Sequence, residues 1–173
     1  MRALLFVLLT GLLAFNHESA PQKIAVTGAR MTWFGTFTFA KETEVDEPSA
    51  ATGKKDILSG IVPPSVNSDR VAFVAGTWFG FGYELIGQPS NGLVTLRYVT
   101  KIPPPGLPDA ATGELKRVSE SKWPDLAIGR TDLFRATSLG NLEGVPTGTW
   151  TLQVWYGERM LLEKSFILSV PSQ

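Results

Sequence analysis

The 173-residue chain has no cysteine and only one histidine, His17. The missing thiols remove cysteine nucleophiles, thiolate-ligated zinc and iron–sulfur chemistry, and leave no disulfide framework. The single histidine stands in the N-terminal leader described below. If that leader is removed after residue 20, the remaining chain has neither residue. Ser-His-Asp triads, Cys-His dyads and histidine-ligated metals then go together, and with them most general-base chemistry near neutral pH. Charge is also scarce. Lys, Arg, Asp and Glu make up 18% of the chain and the formal net charge is zero. No basic run is longer than two residues, and Lys54-Lys55 is followed at once by Asp56. Nucleic-acid binding normally shows as a basic excess or stripe, so nothing here points to a phosphate backbone.

The N-terminus carries the clearest local pattern. Met1-Arg2 is a short basic start, Ala3 to Phe15 is apolar apart from Thr10 and Gly11, and a polar stretch follows from Asn16 to Ala20. This is the plan of a secretory signal peptide. The apolar run is shorter than the roughly 20 residues that span a bilayer, and no cysteine follows it to carry a lipid. We therefore expect a signal peptide over residues 1–20, with cleavage after Ala14 as an alternative, and a single exported domain over 21–173, periplasmic or secreted.

From residue 21 onward the chain reads as strands and turns. A hydrophobic content of 43% suits a packed domain, and no segment keeps a helical period for three turns. Period two is frequent. Trp150, Leu152, Val154 and Tyr156 share one face, with Thr151, Gln153 and Trp155 on the other. Gly157-Glu158 makes a two-residue hairpin turn. The return strand places Met160, Leu162, Phe166 and Leu168 together, with Lys164 as a break that suggests a rim. Met31, Trp33, Phe37 and Phe39 form another row. Phe79, Phe81, Tyr83 and Leu85 alternate with Gly80, Gly82 and Glu84. Val94, Leu96 and Tyr98, then Val71, Phe73 and Ala75, then Leu133 to Leu139, complete the set. Glu44 to Lys55, Gly87 to Gly92, Pro103 to Pro108 and Gly140 to Gly148 are expected loops, the proline run as a polyproline-like surface segment. The expected fold is an all-β, antiparallel, immunoglobulin-like β-sandwich of about seven or eight strands with long Pro/Gly-rich loops.

No catalytic constellation is legible and no cofactor is implied. Glu84, Glu114, Glu120 and Asp125 are carboxylates that the sequence alone does not bring together, although a glycosidase needs two in one cleft. Thr52-Gly53-Lys54-Lys55 lacks the rest of a phosphate loop, and Asp125 and Asp132 miss the spacing of a calcium loop. Aromatics are the remaining signal. Trp33, Trp78 and Trp150 are expected in the core. Trp123, before Pro124 in an expected loop, and Trp155, on a polar strand face, are the candidate ligand-binding residues.

Three stretches taken together resemble a bacterial family, the domain of unknown function 3859. They are Phe79 to Leu85 with Gly87, Ile102 to Leu107 with Thr112-Gly113, and Gly148 to Gly157 continuing to Leu162 through Phe166. The resemblance covers about residues 30 to 168 and implies an exported β-sandwich, with no activity and no catalytic residues to carry over. The expected function is a non-catalytic exported domain that binds a protein or cell-envelope component. The alternatives are a carbohydrate-binding module using exposed tryptophans and, behind it, a carboxylate-based hydrolase. The sequence leaves partner identity and oligomeric state open.

Overall fold

A computed structural model describes residues 23–46, 54–109, 112–140 and 142–171; the expected signal peptide lies outside them. Among these residues there is no helix. Eleven strands form two stacked sheets and a short ribbon. The first sheet has the order β2-β1-β4-β9, built from β1 (Ala25–Asp46), β2 (Lys54–Val62), β4 (Trp78–Gln88) and β9 (Leu133–Ser138). The second has the order β3-β11-β10-β5-β8, from β3 (Arg70–Ala72), β5 (Leu93–Lys101), β8 (Val118–Ala127), β10 (Gly148–Tyr156) and β11 (Arg159–Ser169). The ribbon pairs β6 (Leu107–Pro108) with β7 (Leu115–Lys116). Every pairing is antiparallel except β11 with β3. The chain is an all-β, immunoglobulin-like sandwich.

The core follows from period-two burial. Phe79, Phe81, Tyr83 and Leu85 of β4 point inward with no solvent exposure, and meet Leu96, Trp150, Leu152, Val154, Phe166 and Leu168 of the other sheet. Phe79 packs edge-on to Trp150 and Phe166, with ring centroids 6.2 and 5.2 Å apart. Such edge-to-face geometry suits the ring quadrupoles. The indole N–H of Trp150 donates to the Pro146 carbonyl at 3.0 Å, so the deepest tryptophan leaves no orphan donor. The hairpin turn falls at Gly157-Glu158 as the spacing predicts: Tyr156 pairs with Arg159, and Gly157 has φ +56°. Lys164, the break in the inner row of β11, lies at the rim with its ammonium 3.8 Å from the Phe34 ring centroid, a cation–π contact.

Four sequence expectations are corrected. The strand count exceeds seven or eight because β2 and β8 are edge strands, which need no continuous apolar row, and because Leu107–Pro108 and Leu115–Lys116 pair as the short β6–β7 ribbon. Residues expected in the loop from 44 to 55 partly belong to strands, since β1 runs to Asp46 and β2 starts at Lys54; positions 47–53 lie outside the described residues. The Pro103–Pro108 run is not wholly a surface segment. Pro103 and Gly106 are buried, and Leu107–Pro108 pairs with β7 outside the main sheets, where a missing N–H breaks no ladder. Finally, Met31 does not share a face with Trp33. The β1–β4 register shifts between them, turning Met31 toward the core and Trp33, Phe37 and Phe39 outward.

The outward turn is possible because β4 has glycine on its outer face. A Cβ on Gly82 would sit 2.1 Å from the Trp33 indole nitrogen, so the ring lies on bare backbone. A Cβ on Gly80 would meet the Arg135 carbonyl oxygen at 2.1 Å and the Ala136 Cα at 2.7 Å. Gly80→Ala must therefore push apart β4 and β9, whereas Gly82→Ala need only lift one ring. We expect both to destabilise, Gly82→Ala by about 1–3 kcal/mol as typical overpacking and Gly80→Ala by more. Denaturant midpoints check the order. Gly82→Ala should also shift tryptophan emission to the red; two neutral variants would contradict the packing.

Tyr83 and Tyr98 meet inside the core, hydroxyl to hydroxyl at 2.5 Å. Burial raises both phenols above their usual range. At Tyr83 the neighbouring Tyr98 adds to the rise, while at Tyr98 the Tyr83 hydrogen bond and Arg135 oppose it. The folded chain then holds phenolic protons that the unfolded chain releases near pH 10. Stability is full below that pH and falls above it, by up to about 1.4 kcal/mol per pH unit per phenol. Tyr83→Phe removes one of the two and should make this alkaline loss about half as steep. Urea titrations between pH 9 and 12 read it; an unchanged slope would contradict the buried pair.

Candidate functional site

The outer face of the four-stranded sheet carries a second aromatic layer. Phe37 is its hub, buried by its neighbours, with ring centroids 5.3 Å from Trp33, 5.5 Å from Phe39, 6.3 Å from Trp78 and 6.4 Å from Phe134. Phe39 also packs edge-on to Trp78 at 5.3 Å. Pairing explains the assembly. Phe37 stands opposite Trp78, Phe134 stands opposite Gly82, and the two glycines of β4 leave room between them. Trp33 and Trp78, expected in the core, lie half-buried on this outer face. Only Trp150 of the three is a core residue. The sequence signal for this was the Phe-Gly-Phe-Gly alternation itself, which gives β4 one aromatic face and one vacant one.

Around the β9 side of this layer the two sheets leave an opening. The β8 and β9 strands are the sheet edges that border it. Between them lies a cleft of about 520 Å³, lined by Phe39, Trp78, Trp123, Phe134, Tyr98 and Arg135 with Leu126, Leu133, Ala136, Arg130 and Asp132. Its size falls within the usual range for small-ligand sites, roughly 300–1,000 Å³. Trp123 is not in a loop. It lies in β8 opposite Leu96, 54% exposed, its ring tilted over Tyr98 at a centroid distance of 6.0 Å. Pro124 and Asp125, the latter at φ +58°, fall at the register shift between Val94 and Leu96, the edge-strand position where a proline and a bulge are tolerated.

Arg135 closes the floor of the cleft. It stands opposite Phe81 on β9, so its side chain enters the sandwich from the edge. Its guanidinium lies 5.2 Å from the Tyr98 ring centroid. One terminal nitrogen donates to the Ala136 carbonyl at 2.6 Å and the other to the Thr100 hydroxyl. Among the described residues the buried Nε–H has no partner. Burial lowers the pKa of this guanidinium, opposed by the two tyrosines, but an arginine keeps its charge regardless. No ion pair among the described residues reaches it. At the cleft mouth Arg130 grips Asp132 with both arms, at 2.5 and 2.8 Å, which holds the Asp132 carboxyl below the usual carboxylate range. Arg135 was invisible to sequence reasoning because one arginine in a half-polar strand, Leu133–Ser138, reads as a solvated residue.

Trp155 belongs elsewhere. It points to the outer face of the five-stranded sheet, with its indole N–H donating to Gln153 at 3.0 Å and the Arg97 guanidinium 4.7 Å from the ring centroid. Trp123 and Trp155 thus face opposite sides of one sheet and do not form a shared platform. Among the carboxylates weighed from sequence, Glu84 pairs with Arg30 at 2.5 Å and Glu120 with Arg97 at 3.3 Å. Asp132 is the one carboxylate lining the cleft. Among the described residues no group of three or more acidic or histidine side chains is placed to hold a metal. No described helix is long and apolar enough to cross a membrane.

Comparison with known proteins places the fold and nothing narrower. No family model matches the chain, and no curated protein matches it. Among solved structures it is similar to an immunoglobulin-like protein from Pseudomonas aeruginosa, at 23% identity and a TM-score of 0.57, over 86% of this chain and 98% of that one. A beta-D-glucoside glucohydrolase from Trichoderma reesei aligns at 12% identity with a TM-score of 0.33, over 82% of this chain and 19% of that one; a likeness that loose says nothing of activity. The chain shares an immunoglobulin-like architecture with the Pseudomonas protein.

Proposed function

We propose that the chain is a non-catalytic exported domain that binds a protein or cell-envelope component through the outer aromatic layer and the adjoining cleft. Membership of the domain of unknown function 3859 family and a periplasmic or secreted location belong to the same proposal. One observation supports it above the rest: five aromatic rings cluster on the outside of a sheet, where among the described residues no further layer of strands covers them. Solvated sheet faces normally carry polar residues. A contiguous apolar patch on a soluble domain marks an interaction surface, and aromatic residues are the side chains most enriched at such surfaces.

A sugar ligand is the second reading, favoured by the exposure of Trp123 at the cleft rim. It rests on that one tryptophan, since Trp155 faces away. A hydrolase would need a second carboxylate in the cleft beside Asp132.

The double variant Phe134→Ser/Trp123→Ser removes the two most exposed aromatics of this surface, 40% and 54% accessible. The immobilised wild-type domain should retain a defined component of an envelope extract, identified by mass spectrometry. The variant should retain at least tenfold less while melting within a few degrees of wild type. Equal retention by both would sink the reading. A saturable fluorescence response to a neutral glycan, lost in Trp123→Ala alone, would favour the sugar.

A further inference from the structure

We propose that the cleft between β8 and β9 is a binding site for a monocarboxylate carried on an apolar or aromatic body, with Arg135 holding the carboxylate and Trp123, Phe134 and Trp78 flanking the body. This rests on the binding reading above and names the chemistry of the ligand.

Among the described residues Arg135 is a charge without a counter-charge. Placing a cation inside a protein is costly unless it is paired or fully hydrogen-bonded. Arg135 carries five N–H donors. Among the described residues two are engaged, by the Ala136 carbonyl and the Thr100 hydroxyl, and the acceptors are neutral. The two tyrosines beside it keep their protons at neutral pH, because burial raises both. They supply no negative charge. The one carboxylate in the lining, Asp132, is already bound in bidentate fashion by Arg130. The side chain is held in place by two hydrogen bonds and the Tyr98 ring, so it is ordered before any ligand arrives. A guanidinium fork of this kind matches the two oxygens of a carboxylate.

The ligand's charge and body follow from the lining. Among the described residues of the lining Arg130, Arg135 and Asp132 are the charged ones and sum to +1, which suits a monoanion over a phosphate dianion. The remaining walls are aromatic or aliphatic, apart from the Tyr98 hydroxyl, which is already engaged by Tyr83. Sugar hydroxyls would find few partners there, whereas a flat apolar body can stack on Trp123 or Phe134. A peptide ending in an aromatic residue and a free aromatic acid share this chemistry.

The test uses the tryptophans of the cleft as reporters. Phenylacetate should quench or shift the emission of the full mature domain saturably. Phenylacetamide, the same shape without the charge, should bind at least tenfold more weakly, and glucuronate more weakly than phenylacetate. Arg135→Gln should reduce phenylacetate binding at least tenfold; should that variant not fold, the comparison of acid with amide on the wild-type domain still decides. An acetylated peptide ending in phenylalanine that binds only with its terminal carboxylate free would point to the peptide source. Equal binding of acid and amide, no saturable response to either, or tighter binding of glucuronate would overturn the proposal. If phenylacetate fails while the Phe134/Trp123 double variant still loses the envelope component, the carboxylate site alone falls.

Discussion

The alternation along β4 organises both faces of the sheet. Phe79, Phe81, Tyr83 and Leu85 are driven inward by burial, and between them Gly80 and Gly82 leave a gap in the opposite face between Trp78 and Glu84. A fully buried Phe, Tyr or Leu is each favoured by about 1.5–3 kcal/mol over exposure, so this row fixes the strand's orientation and register. A one-residue slip would bury glycines and expose the aromatics. With the register fixed, the glycine face becomes a seat. Trp33 lies on Gly82 and packs against Phe37, which in turn meets Trp78 and Phe134. The strand is thus covered on both sides, by the core within and by an aromatic layer without.

That layer in turn shapes the cleft. The β9 strand approaches β4 closely at Gly80, and this sets where Arg135 enters the interior from the sheet edge. Across the gap, β8 ends the other sheet, and its bulge near Pro124 presents Trp123 to the opening. Neither sheet closes on the other along this side. A barrel would have paired β8 with β9 and left no opening. The cation at the floor and the rings at the rim are therefore consequences of two unpaired edges lying near each other. The buried Tyr83–Tyr98 pair and Thr100 support Arg135 from beneath.

Much of this fold was legible in the sequence, and the reasons differ by element. The β10–β11 hairpin announced itself through alternation and a Gly-first turn, because both its local chemistry and its burial agree. The β4 and β5 rows were equally clear. The edge strands were not. Val118–Ala127 is polar nearly throughout and contains a proline, and its strand character comes from pairing with β5, which no local pattern encodes. The outer position of Trp33 depends on one register shift after Met31, again a pairing property. For the site, Trp123 was expected in a loop but lies in β8, and Trp155 was found on the polar face where alternation put it. Arg135 left no trace, since its isolation from carboxylates is a fact of three dimensions.

The measurement that bears most directly on this account is native-state hydrogen exchange resolved by residue. A strand buried on both faces should exchange only through global unfolding. The amides of residues 79–85 are expected to be the slowest in the chain, with those of β8 slower only than the loops. Exchange of the β4 amides as fast as those of β8 would mean that the outer aromatic layer does not protect the strand, and the frame of the proposed site would be lost with it.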